Sequence, residues 1–134
     1  MRIYETNDPR PFEATHAWLR KHNAQHVSED WVPVRLVAED DRGHLVGSLD
    51  AEMFWGKLHV SNVVVAEDSR RNGVGTRLMG SAEEIAARNG CTGIYLETMS
   101  FQGIGFYAGL GFTTVGELGG FENESTMVFL HKPI

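Results

Sequence analysis

Arg70-x-x-Gly73-x-Gly75 stands between the β-branched run "HVSNVVVA" and an apolar-periodic run that starts at Val74. Two arginines and two closely spaced glycines in front of a helix suit an anion. The first turn of a helix carries unpaired N–H groups and a partial positive charge. Glycine removes side chains, so a phosphate can approach the backbone, and Arg70 and Arg71 add charge. The competing reading of the turn alone is a glycine-eased bend with solvated arginines.

This chemistry needs a strand to deliver the turn and a helix to receive the ligand. Lys57 to Ala66 is expected as the strand and Gly73 to Asn89 as the helix, with Val74, Leu78, Ala82, Ile85 and Ala86 on its buried face. Arg88 and Gly90 close that helix. "TGIYLETM" follows as a strand, giving a βαβ unit with parallel strands and a right-handed crossover. Upstream, a helix is expected over Pro11 to His26 and a break at Pro33. A hairpin of "VRLVAE" and His44 to Met53 turns through "DDRG". Downstream, "GIGFYAGLG" has room for one or two helical turns, and "FTTVGEL" and "TMVFLHK" read as strands around the loop "GGFENE". The fold class is α/β (α+β), a mixed sheet around the βαβ unit.

Known phosphate motifs fit poorly. "GTRLMGS", Gly75 to Ser81, places Met79 and Gly80 where a Walker A loop needs glycine and lysine. Gly73-Val74-Gly75-Thr76-Arg77-Leu78 lacks the third glycine of a dinucleotide fingerprint. The pattern instead resembles the acyl-CoA pyrophosphate loop of the GNAT superfamily of N-acetyltransferases, R/Q-x-x-G-x-G/A between a strand and a helix. "GFYAGLGF", Gly105 to Phe112, is similar to that family's F-Y-x-x-x-G-F/Y segment. The order of elements agrees from about Val34 onward, and "SFQGIGFY" is similar to small bacterial members.

The resemblance implies acetyl-CoA as co-substrate, with no metal, and an amine as acceptor. Val63 and Val65 would hold the pantetheine arm through backbone groups. The pyrophosphate would rest on the turn from Arg70 and Arg71 through Asn72, Gly73, Val74 and Gly75 to Thr76. Ser100 and Gly103 stand where the family often has asparagine and alanine, and Ser100 retains a hydroxyl for the cofactor arm. Tyr107 would protonate the departing thiolate after direct attack by the amine. The rivals are a non-catalytic acyl-CoA-binding regulatory module and another nucleotide binder. Glu52, His59, Ser61 and Glu97 are alternative bases, and water is another. Trp31, Phe54 and Trp55 border the acceptor site or serve core or dimer packing.

The remaining residues set bounds. The chain has 134 residues, 42% hydrophobic and 22% charged, which fits one domain over residues 1–134. Its formal net charge of −6 disfavours a nucleic-acid partner. An acidic surface either attracts a cationic acceptor or serves solubility. No signal-like or membrane-spanning run is read, so the expected location is cytoplasmic. Cys91 is the single cysteine, expected as a buried thiol. His22 and His26 are spaced i, i+4, but "HNAQH" lacks the glutamate of H-E-x-x-H, so a solvated helix face is expected. No G-x-S-x-G elbow points to a serine hydrolase. The resemblance admits a homodimer, and nothing in the sequence requires one.

Overall fold

The computed structural model describes residues 1–134 and divides into two compact units, Met1–Asp30 and Trp31–Ile134. The first unit contains α1 (Arg10–Asn23), with Pro11 in its opening turn and no buried residue of its own. The Asp8 carboxylate accepts from the Arg10 N–H at 3.0 Å, anchoring the helix start. The helix ends before the expected His26: Asn23 O accepts from the His26 and Val27 N–H groups in separate turns. His22 and His26 therefore do not share a continuous helical face, although their rings lie 5.4 Å apart.

The second unit is built on a six-stranded mixed sheet. Its strands are β1 (Val32–Glu39), β2 (Leu45–Phe54), β3 (Lys57–Val65), β4 (Gly93–Met99), β5 (Thr113–Leu118) and β6 (Met127–Pro133), in spatial order β1-β2-β3-β4-β6-β5. The expected hairpin is β1 with β2, antiparallel. It runs through Pro33 where the sequence predicted a break. Proline is tolerated there because β1 is an edge strand, with no ladder needed on its outer side.

β3 and β4 are parallel, joined through α2 (Val74–Arg88), as the βαβ reading requires. α2 buries Leu78, Met79, Ala82 and Ala86 against the sheet. Val74 and Ile85 of the predicted face are only partly buried, and Met79 was not on it. Leu49, Leu58, Ile94 and Leu130, one from each of four strands, are the largest fully buried side chains. Burying such a side chain contributes roughly 1.5–3 kcal/mol. Gly47 of β2 permits the close approach: a Cβ there would meet Val64 O at 2.9 Å and Val74 Cγ1 at 3.0 Å.

α3 (Ile104–Gly109) supplies the short helical segment read from the glycine-rich stretch. Its Ile104 and Tyr107 pack against the core. No helix is long and apolar enough to cross a membrane.

Gly90 takes φ +79° after α2, and Cys91 N–H then donates to Ala86 O at 3.0 Å. Cys91 is buried, and that burial pushes its thiol pKa up, against a smaller opposite pull from Lys57. In the folded protein a thiol reagent at neutral pH should modify Cys91 at least about tenfold more slowly than in the denatured chain. Equal rates in a disulfide-exchange assay would show that the thiol is accessible.

Candidate active site

The two parallel strands part company early. β3 and β4 pair only at Leu58↔Ile94 and His59↔Tyr95. Immediately beyond His59 the β2–β3 register shifts, with Asp50 opposite Asn62 and Ala51 opposite Val60, so Ser61 has no partner. A bulge of this kind bends and twists its strand. Beyond it, β3 stays on β2 and leaves its other edge open.

The direction of that open edge follows from alternation. Ala66 N–H donates to Val46 O, so Ala66 faces β2. Main-chain groups alternate sides along a strand, so Val64 and Asn62 also face β2 while those of Val63 and Val65 face the gap. These are the two positions that the resemblance implies for holding the pantetheine arm.

The gap leads to the turn before α2. Arg71 and Gly73 adopt positive φ, +67° and +77°. At Gly73 this left-handed conformation favours glycine, because a Cβ would strain the backbone even though nothing lies within 4 Å. Gly73 caps α2 without any side-chain acceptor, and the first bond of the helix runs from Arg77 N–H to Gly73 O. The N–H groups of Val74, Gly75 and Thr76 are thus left for a ligand, on the positive end of a 15-residue helix. Arg70 donates from Nε to Val65 O at 3.3 Å, which ties the turn to the end of β3. Gly75 has a further role that the sequence reading missed: a Cβ there would approach the Phe106 ring to 3.1 Å. Its smallness lets α3 close on α2.

These elements surround one groove with a cavity volume of about 730 Å³. Val63, Val65, Arg70, Arg71 and Gly73 line it, as do Val74, Gly75 and Thr76 of α2. Tyr107 lines it from α3, with its ring edge-on to Phe106 and Phe112. Its hydroxyl has no hydrogen-bond partner within the protein, yet it is not among fully enclosed atoms. The phenol is therefore free to donate to a ligand. Burial raises its pKa above the ordinary tyrosine value, so it is protonated at neutral pH.

Two residues predicted for the site fall elsewhere. Asn72 is exposed and does not line the groove. Ser100 is engaged on the opposite side of β4: its hydroxyl accepts from Thr126 N–H at 3.0 Å. Gln102 lines the groove instead, and its side-chain oxygen accepts from Thr98 Oγ1 at 3.1 Å and Met99 N–H at 2.8 Å. No spacing rule marked Gln102, since its role depends on the chain turning back on the end of β4. Of the candidate bases, Ser61 and Glu97 line the groove, and His59 lies between Glu52 and Glu97.

A splayed parallel pair, a helix N-terminus beneath it and a phenol facing the gap form a site for a long acyl carrier with an anionic middle. Comparison with known proteins agrees. The Acetyltransferase (GNAT) family matches residues 1–112. An acetyltransferase of Agrobacterium fabrum is 30% identical over 99 residues, 74% of this chain and 72% of that protein. Blasticidin-S acetyltransferase of Streptomyces morookaense is 40% identical over 73 residues, 54% of each chain. The crystal structure of an acetyltransferase from Bacillus cereus superposes with a TM-score of 0.90 at 25% identity, covering 100% of this chain and 99% of the other. The chain belongs to the GNAT acetyltransferase family, whose co-substrate is acetyl-CoA.

Two variants test this geometry. Gly73→Ala should cost about 1–2 kcal/mol in urea unfolding, the penalty of a left-handed non-glycine residue. A change below about 0.3 kcal/mol would show that the turn relaxes. Replacing Arg70 and Arg71 together by alanine should weaken acetyl-CoA binding and flatten its salt dependence, because exposed charge contacts are screened. Parallel salt slopes for wild type and double variant, by calorimetry, would assign both side chains to solvent.

Proposed function

We propose that the protein is an N-acetyltransferase that moves the acetyl group of acetyl-CoA to an amine by direct attack on the thioester. The observation that carries this reading is Tyr107, a half-buried phenol without a protein partner, in the same groove as the open edge of β3 and the free N–H groups of α2. A site that only bound the carrier would have no use for a proton donor there. The family match over residues 1–112 is consistent with one catalytic domain.

The main chain at Val63 and Val65 pairs with the amides of the arm, much as an added strand would. The turn and the first N–H groups of α2 take the pyrophosphate. Held this way, the thioester presents its carbonyl carbon to an incoming neutral amine. Nitrogen attacks, the carbonyl oxygen gains charge beside main-chain donors, and the C–S bond breaks as the carbonyl re-forms. Tyr107 gives its proton to the departing sulfur. A thiol of this type has a pKa of about 8.5, so its thiolate leaves poorly at neutral pH without such a donor.

The acceptor is proposed to be a small cationic amine. The acidic groups Glu52 and Glu97 near the groove support this, as does similarity over half its length to an enzyme named for blasticidin S. The experiment is thiol release from acetyl-CoA over a panel of blasticidin S, kanamycin, spermidine and a peptide with a free amino terminus. Enzyme-dependent release with at least one is expected. No release above the enzyme-free rate with all four would overturn transfer to amines.

On a responding amine, Tyr107→Phe should lower kcat by about 10²-fold, within the range for a positioned acid, with acetyl-CoA affinity little changed. The raised phenol pKa sets the sign of the pH dependence. The donor is fully protonated at neutral pH, and the corresponding loss of rate lies on the alkaline side, above about pH 10. A kcat within about twofold of wild type would remove Tyr107 from the reaction.

A further inference from the structure

The turn between β2 and β3 carries a residue that its backbone does not suit. Phe54 pairs directly with Lys57, so Trp55 and Gly56 form a two-residue hairpin turn. Both have positive φ, +51° and +81°, which defines a type I′ turn. Asn-Gly is the preferred pair there, and a bulky side chain at positive φ is an outlier. Deep burial does not offset the strain, since Trp55 is 52% exposed. Strained residues of this kind gather at sites that hold ligands.

Trp55 belongs to a group of rings. It meets Phe54 edge-on with centroids 5.4 Å apart, and Trp31 stacks on Phe54 at 4.0 Å with planes 11° apart. Trp31 is 53% exposed, so much of its surface stays open. Met53 is buried in the core, so Glu52 and Phe54, which alternate with it, are on the other face of the sheet. Trp31 Nε1–H donates to Glu52 Oε2 at 2.8 Å. Glu52 is the cross-strand partner of His59, whose Nε2 lies 2.9 Å from Glu97, and Glu97 lines the groove. The aromatic surface is therefore continuous with the groove along a row that carries two carboxylates. Neighbouring strands are about 4.8 Å apart, so the row from β2 to β4 spans roughly 10 Å.

We propose that Trp31 and Trp55, both braced on Phe54, form a subsite for a flat ring of the acceptor. The acceptor is then a cationic amine joined to such a ring by an arm of roughly 10 Å, the span of the row. The proposal rests on the acetyltransferase reading above. An indole offers a broad face on which another ring stacks, and a ring of cationic character is held more strongly still. The positive charge along the arm meets Glu52 and Glu97 on its way to the groove. The two tryptophans set which acceptor binds and how it is aimed; they touch none of the reacting atoms.

The alternatives are a surface that holds a second copy of the chain and packing that only steadies the hairpin. The probes are spermine and 1-naphthylacetyl spermine, which differ by the flat ring and its linker. Wild type should use the naphthyl amine with kcat/KM at least about tenfold above spermine, the scale of one stacked ring. Trp31→Ala and Trp55→Asn should each lower kcat/KM for the naphthyl amine about tenfold, through KM rather than kcat, and narrow its lead to about twofold. Trp31→Phe loses the bond to Glu52 but keeps a ring, so it should keep most of the lead. Trp55→Asn should melt no lower than wild type, because Asn-Gly suits the turn, and it decides the matter if Trp31→Ala does not fold. If neither amine is acetylated, calorimetry with coenzyme A present reads the same ratio in Kd. Equal values for the two amines in wild type, or a lead that survives in Trp55→Asn, overturn the subsite. So does a fall in Tm of more than about 5 °C in Trp55→Asn, which assigns that residue to packing. A wild-type dimer that either variant makes monomeric in sedimentation assigns the surface to a second copy instead. No thiol release with any amine, the earlier panel included, overturns the acetyltransferase reading itself.

Discussion

The separation of β3 from β4 after two paired residues is the constraint on which the site depends. A fully zipped parallel pair would satisfy the main chain of Val63 and Val65 and leave no room for a ligand arm. The bulge at Ser61 and the approach of α2 over Gly47 hold β3 on β2 while β4 continues toward β6. Main-chain groups exposed by that divergence are normally a liability. Here they open into a groove closed from beyond by Phe106 and Tyr107 of α3. The fold thus leaves part of one ladder unmade, and the ligand proposed for the groove would complete it.

Charge is distributed unevenly along the groove. The chain has a formal net charge of −6, yet the turn before α2 concentrates Arg70, Arg71 and the helix N-terminus at one end of the groove. Glu97, with His59 and Glu52 behind it, lies toward the fork. An anionic carrier and the proposed cationic acceptor would meet charges of opposite sign at separate places. The proposed proton donor Tyr107 and the carboxylate of Glu97 line the same groove from different elements, α3 and β4.

The local pattern made much of this legible. Arg70-x-x-Gly73-x-Gly75 between a β-branched run and an apolar period locates the turn, and "GFYAGLGF" locates Tyr107. The hairpin and the parallel βαβ unit follow from turn chemistry and period. What stayed hidden depends on contacts between distant residues. Pro33 reads as a break until β1 is known to be an edge. Ser100 has the right chemistry for the groove, but its hydroxyl is held by Thr126, which no spacing reveals. Glu52, His59 and Glu97 were separate candidates, and only the β2–β3 and β3–β4 registers place them on one face.

The position of β6 has a consequence for biosynthesis. β5 precedes β6 in the chain but joins the sheet only through it. As the polypeptide leaves the ribosome, β5 emerges with no strand to receive it, and β4 carries an open edge until Met127–Pro133 has been translated. The fork and the turn can assemble on the nascent chain, whereas the outer flank behind Tyr107 must wait. During that interval the edge of β4 is open to pairing with other nascent chains.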